Sequence, residues 1–307
     1  MKIPAHSDPL AARPKAFSLV EILVAVGLLS FIMLGLMMMF NQTQKAFRLS
    51  ITQADVLEQG RATLDLMSRE IEQTAPSHYP DWLTKGGVWY RATNFYAEPA
   101  AGFNCLVQQL PGSDLIAQAS GFNRRTNQIQ RFFFLTRLNQ DWIGTAYQVV
   151  PDVSGGSVGT LYRYAVTNLR SAPITAAEAI TRAFSKPDTN VMVSRIAEGV
   201  VHLRARAFDT NGVLIPVTAG WYGSSRGIWV QSDATGNEPQ GYAYFVSNAV
   251  PAYVEIELGI LESQILKKSR SIPNALLQSN FLSGYAAEEH IFRQRIPIRN
   301  VDTTAYQ

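Results

Sequence analysis

The sequence predicts an α+β protein in which one long N-terminal helix lays part of its length on an antiparallel β-sheet. Three observations carry that expectation. Residues 17–40 form an apolar run whose only charge is Glu21 and whose only other polar side chains are Ser18 and Ser30. A weaker helical periodicity follows, from Lys45 to Ile71. Beyond Pro76 the chain turns to short β-like runs separated by Gly, Pro, Asn and Asp.

The apolar run is long enough to span a membrane. Its 24 residues rise about 36 Å as a helix, against a bilayer core of about 30 Å. A secretory signal peptide has a shorter apolar core, about 7 to 15 residues, ending at an A-x-A-like site. Here the run passes into Asn41-Gln42-Thr43-Gln44 with no such pattern. A plain signal anchor fits the length but leaves Glu21 unexplained, because a carboxylate in such a segment costs about 2.5 to 3.5 kcal/mol. Two readings of Glu21 stand side by side: it snorkels to the membrane surface, or it serves a partner. Ahead of the run, Lys2, Arg13 and Lys15 against Asp8 hold residues 1–16 on the cytoplasmic face, although Lys45 and Arg48 on the far side make the bias slight.

From Lys45 onward, Phe47, Ile51, Ala54, Leu57, Leu64, Met67 and Ile71 recur at spacings of three, four or seven, one stripe of an amphipathic helix. Glu58, Arg61, Asp65, Arg69 and Glu72 alternate in sign on the polar side. Pro76 makes continuation unfavourable. The helix therefore runs either unbroken from 17 to about 75, or as an anchor followed by a separate juxtamembrane helix. Gly27 and Gly35 offer places for close approach or local unwinding.

Strands are expected at 105–110, 128–138, 161–166, 196–208, 253–260 and 290–298. In Val201-His202-Leu203-Arg204-Ala205-Arg206-Ala207-Phe208 the odd positions up to Ala207 are apolar and the even ones before Phe208 polar. Val254-Glu255-Ile256-Glu257-Leu258 alternates in the same way. One face buried and one wet is the expectation, with His202, Arg204 and Arg206 in solvent. The expected organisation is a short basic segment at 1–16, a transmembrane half-helix at 17–44, and one α+β domain at 45–307.

Composition excludes several classes of function. Of 307 residues, 27 are basic and 24 acidic, a net charge of +3 with no Lys/Arg cluster beyond pairs such as Arg124-Arg125 and Lys267-Lys268, so no nucleic-acid surface is expected. The single cysteine, Cys105, allows neither an intrachain disulfide nor a thiolate zinc cage and reads as a small buried side chain. His6, His78, His202 and His290 show no paired spacing for a metal. Glu288-Glu289-His290 reads as a helix or turn edge rather than a general base. Ser154-Gly155-Gly156-Ser157-Val158-Gly159 lacks the Lys-Ser/Thr of a phosphate loop and reads as a hairpin loop. Asp209-Thr210-Asn211-Gly212 lacks the later acid of a calcium loop and reads as a tight turn. No catalytic, cofactor-binding or metal residue is expected. Trp82, Trp89, Tyr90, Phe95 and Tyr96, and Trp221, Tyr222 and Trp229, read as core or loop anchors, with a partner-binding surface as the alternative.

The junction Lys15-Ala16-Phe17-Ser18-Leu19-Val20-Glu21-Ile22-Leu23-Val24 resembles the class III leader junction of type IV prepilins and pseudopilins. In that family a basic leader ends in a small residue, usually Gly, an aromatic residue follows, and Glu is fifth in the mature chain. Ala16 stands here where Gly is usual. The resemblance implies cleavage between Ala16 and Phe17 by a prepilin peptidase, N-methylation of Phe17 by the same enzyme, and pairing of Glu21 with a neighbouring subunit's new α-ammonium. It implies further partners: other pilin-like subunits through the N-terminal helix, and inner-membrane lipid before assembly, with the bulk of the chain in the periplasm. Arg69-Glu70-Ile71, Leu161-Tyr162-Arg163-Tyr164, Glu198-Gly199-Val200-Val201-His202-Leu203 and Val250-Pro251-Ala252-Tyr253-Val254-Glu255-Ile256-Glu257-Leu258 look like the J-type minor pseudopilins of type II secretion and the PilW-like minor pilins. Met38, where many major subunits have Pro, also fits a minor one. The implied function is a structural minor subunit that primes or caps a pseudopilus, without enzymatic activity. A minor pilin acting in adhesion, motility or DNA uptake is the alternative within the family. A single-pass anchored periplasmic enzyme or sensor is the alternative outside it.

Overall fold

The structure is a computed structural model that describes residues 18–78, 83–85, 88–90, 93–100, 103, 107–109, 124–139, 141–169, 192–218, 227–232, 240–285 and 289–306. The chain divides into two compact units, 1–51 and 52–307. Helix α1 (Leu19–Ile71) is one unbroken element with residues in both, so the alternative of an anchor plus a separate helix does not hold. It stops five residues before Pro76. The Thr74 hydroxyl donates to the Ile71 carbonyl, and the Ala75 N–H takes the Leu135 carbonyl, so sheet contacts end the helix before proline can.

In the second unit the strands, in chain order, are β1 (Leu83–Lys85), β2 (Val88–Tyr90), β3 (Thr93–Pro99), β4 (Val107–Gln109), β5 (Arg124–Thr126) and β6 (Gln130–Leu138). Then come β7 (Asp141–Pro151), β8 (Gly159–Leu169), β9 (Met192–Phe208), β10 (Ile228–Gln231), β11 (Tyr242–Val246) and β12 (Tyr253–Leu261). Helices α2 (Ser263–Arg270) and α3 (Ala275–Ser283) precede β13 (Glu289–Pro297). Among the described residues, nine strands form one antiparallel sheet ordered β10-β11-β3-β6-β7-β8-β9-β12-β13, while β1–β2 and β4–β5 are separate pairs. All six expected strands are present; β8 and β9 are longer than expected.

The face that receives α1 carries Phe95, Phe132, Phe134, Tyr147, Leu161, Leu203, Ala205, Val254, Ile256, Leu258 and Ile296. Val56, Leu64, Met67 and Ile71 of the helix join that core. The stripe is the expected one at its C-terminal end. Nearer Thr52 it shifts: Val56, Gly60 and Thr63 are buried, whereas Ala54 and Leu57 are exposed. Gly60 explains the shift. A Cβ there would lie 2.1 Å from the Phe292 ring, so the helix meets β13 through a residue with no side chain.

The opposite face does not follow the half-wet expectation. Tyr96, Phe133, Leu135, Trp142, Ala146, Tyr164 and Val166 form a second core there, so β6 buries Phe132, Phe133 and Phe134 together. Two buried glutamines close the curled sheet where β6 approaches β9. Gln130 accepts from the Ala205 N–H and donates to the Gln240 and Gly241 carbonyls. Gln240 accepts from the Ala207 N–H and donates to the Ala207 and Ile215 carbonyls. These amides stand in for a missing strand, satisfying buried backbone groups that would each cost about 1 to 3 kcal/mol unpaired. At one end α2 and α3 pack Ile265, Leu266 and Leu282 on Val158, Val201 and Leu261.

Candidate membrane and assembly helix

The first turn of α1 is built by Ser18. Its hydroxyl accepts the Glu21 N–H at 3.2 Å, which makes Ser18 an N-cap and places Glu21 third in the helix. Ser-x-x-Glu is the capping-box spacing, so Glu21 sits where a carboxylate also faces the positive end of the helix dipole. Of the residues the expected leader junction singles out, Glu21 lies exposed in this turn, and Ala16 and Phe17 lie outside the described residues.

Beyond that turn the helix is apolar on every side. Its most hydrophobic window has a mean hydropathy of 2.6, and none of that window is buried in the protein. Leu19, Phe31 and Met39 are among the most exposed residues of the run, Phe31 at 81%. The two hydroxyls within and just after it are satisfied inside the helix: Ser30 donates to the Val26 carbonyl and Thr43 to the Met39 carbonyl. Neither of these two hydroxyls is therefore left to need water. Nothing stands within 4 Å of a Cβ at Gly27 or Gly35. This helix is long and apolar enough to cross a membrane, which fits single-pass anchoring.

The part of α1 in the second unit is held by a polar anchor that strand periodicity did not single out. Glu70 accepts Tyr147 Oη at 2.6 Å and Arg163 Nε and Nη2 at 2.7–3.0 Å. Burial, with the Glu70 charge beside it, pushes the Tyr147 phenol far above its ordinary range, so it remains the donor. Asp65–Arg69 at 2.7 Å and Glu72–Arg299 at 2.6 Å lie at the surface and contribute little. Asn94 fastens the helix exit, accepting from the Ser77 N–H and donating to the Ser247 and Ala249 carbonyls.

His202 is the clearest correction. It was expected in solvent on the polar side of β9, and it is buried, as are Arg204 and Glu257. Its Nδ1 accepts the Gln128 N–H at 3.0 Å, so the ring proton is on Nε2, which faces Glu257 at 3.2 Å. Burial favours the neutral acid at Glu257. The His202 hydrogen bond and the Arg206 and Arg293 charges outweigh it and hold the carboxyl down at about 2. Alternation had assigned the face correctly but not its exposure. Residues 127–128 reach this end of the sheet, a contact that strand periodicity does not encode.

The other candidates resolve simply. Among the described residues no three His, Cys, Asp or Glu side chains are grouped to hold a metal. Asp209 accepts the Asn211 and Val213 N–H groups in a turn with Gly212 at φ +74°. Residues 152–158 join β7 to β8 as a hairpin loop. His290 faces Glu262 at 3.2 Å. Phe95, Tyr96 and Trp229 are buried, Trp89 and Tyr90 lie on β2, and His6, Trp82, Cys105, Trp221, Tyr222 and Glu288 fall outside the described residues. No protein-family model matches this chain, and a search of curated proteins finds no relative.

Proposed function

We propose that the protein is a structural, non-enzymatic minor subunit of a type IV pilin-like filament, a minor pseudopilin of a type II secretion system that takes part in initiating or capping the pseudopilus. The observation that carries this reading is the bare apolar half of α1, with one carboxylate fixed in its first turn. Lipid can cover such a surface, and so can the same half-helices of other subunits packed side by side. In the first state Glu21 lies at the membrane edge. In the second its charge meets the α-ammonium that cleavage at Ala16–Phe17 creates on a neighbour, removing two charges from an apolar bundle. The globular part, held in the periplasm, then rides on the filament.

Glu21 variants test the proposal. Glu21→Ala is expected to be cleaved and inserted normally but absent from purified filaments. Glu21→Gln keeps the capping-box geometry and removes the charge. It should fail in the same way if pairing is the role, and assemble normally if capping is. Wild-type incorporation of both variants contradicts the pairing account.

A further inference from the structure

The nine-stranded sheet ends in two unlike edges. β10 has four residues, and its outer side is already met by Thr218, whose N–H bonds the Val230 carbonyl and whose hydroxyl takes the Val230 N–H. β13 is nine residues long and pairs along its whole length with β12. Among the described residues, the backbone of 290–297 bonds to nothing else. Which of its groups point outward follows from the ladder. The Ile298 N–H bonds the Ala252 carbonyl, so 252 and 298 face each other, and by antiparallel alternation so do 254 and 296, 256 and 294, and 258 and 292. The N–H and C=O groups of Ile291, Arg293 and Arg295 therefore point away from the sheet.

The side chains of Arg293 and Arg295 share a face with a charge lattice. Two rows cross the three strands: Arg204–Glu257–Arg293 and Arg206–Glu255–Arg295. Arg206 is 3.6 Å from Glu255 and 4.0 Å from Glu257, and Arg293 reaches Glu257 directly. Arg295 lies 3.7 Å above the Phe208 ring and bonds the Gly212 carbonyl. Four arginines share this face with two glutamates, leaving a positive excess, and two of the four, Arg293 and Arg295, stand on the edge strand itself. Arg293 is 60% exposed.

We propose that this edge takes up an extended acidic segment of another polypeptide as a tenth, antiparallel strand. Residues of that segment directly opposite Arg293 and Arg295 fall on the arginine face, so acidic side chains at two alternate positions complete the lattice. A second copy of β13 fits poorly. Overlapped most fully, it sets Arg293 against the other copy's Arg293 and leaves Arg295 opposite Ile291. The register that sets Glu289 against Arg295 requires Glu289 to leave Asn127, its partner at 3.2 Å. Pro297 lacks an N–H and limits the edge at one end. The inference concerns the second unit alone and does not depend on filament assembly.

The test uses the full chain in detergent micelles with a short synthetic peptide of alternating glutamate and valine, and a lysine–valine peptide as control. Hydrogen exchange read by NMR should show the Ile291, Arg293 and Arg295 amides protected by the acidic peptide, with Phe292 and Gln294 unchanged. Arg293→Glu should weaken that peptide about tenfold and favour the lysine one. Ile291→Pro removes an outward N–H without touching a β12 bond and should abolish binding. Protection spread evenly over β13, equal binding of both peptides, or peptide-free dimers that Ile291→Pro dissociates would each overturn the proposal.

Discussion

Residues 19–40 and 56–71 of α1 draw on the same apolar side chains, yet their surroundings are opposite. Phe31 is 81% exposed and Met67 is fully buried. The difference lies in where the polar residues stand. In the later segment Glu58, Arg61, Asp65 and Arg69 are exposed and leave one apolar stripe, which a single sheet face can cover. The earlier segment is apolar all round, and no one sheet can cover every side of a helix. Its cover has to be a solvent, lipid, or a ring of similar helices. The later segment also has devices the earlier one lacks: Gly60 opened for Phe292, and Glu70 bound by Tyr147 and Arg163.

Acid should separate the two regions most strongly. The Glu257 carboxyl is held at about 2 in the folded protein against 4.5 when free, so its contribution, about 3 kcal/mol, is complete above pH 4.5. It is lost as pH falls from 4.5 toward 2. Near-UV circular dichroism in micelles should show the sheet loosening over that window while helix 19–40 keeps its far-UV signal. Glu257→Gln should flatten the acid dependence.

Matched glycine substitutions come next. Gly60→Val forces the Phe292 ring aside and should cost about 2 kcal/mol. Gly27→Val meets nothing within the chain and should leave the denaturation midpoint of the sheet unchanged. Equal effects would mean that the earlier segment is packed after all. The smallest effect is expected from Tyr147→Phe. It removes one hydrogen bond to Glu70 while Arg163 keeps the charge paired, a loss of about 1 kcal/mol in urea denaturation.

Much of this architecture was legible as periodicity. Period two marked β9 and β12, and Leu64, Met67 and Ile71 marked the docked end of α1. Strand β7 escaped because Asp141-Trp142-Ile143-Gly144 opens without alternation and its later residues are buried on both faces. Helices α2 and α3 escaped because eight and nine residues give too few turns to establish a period. Gln130, Gln240 and Asn94 read as ordinary polar positions, since their partners are backbone groups from distant segments. Glu21 stood out in the sequence as the one charge of the apolar run, and the structure adds that Ser18 caps the first turn and places Glu21 within it.

The account rests on α1 beginning at a processed N-terminus, so that its bare half can leave lipid for a bundle. Intact-mass spectrometry of the native protein tests this directly. The expected species is the 291-residue chain left when 16 residues are removed from 307, beginning with N-methylated Phe17. A membrane-bound chain that still carries residues 1–16 would contradict it.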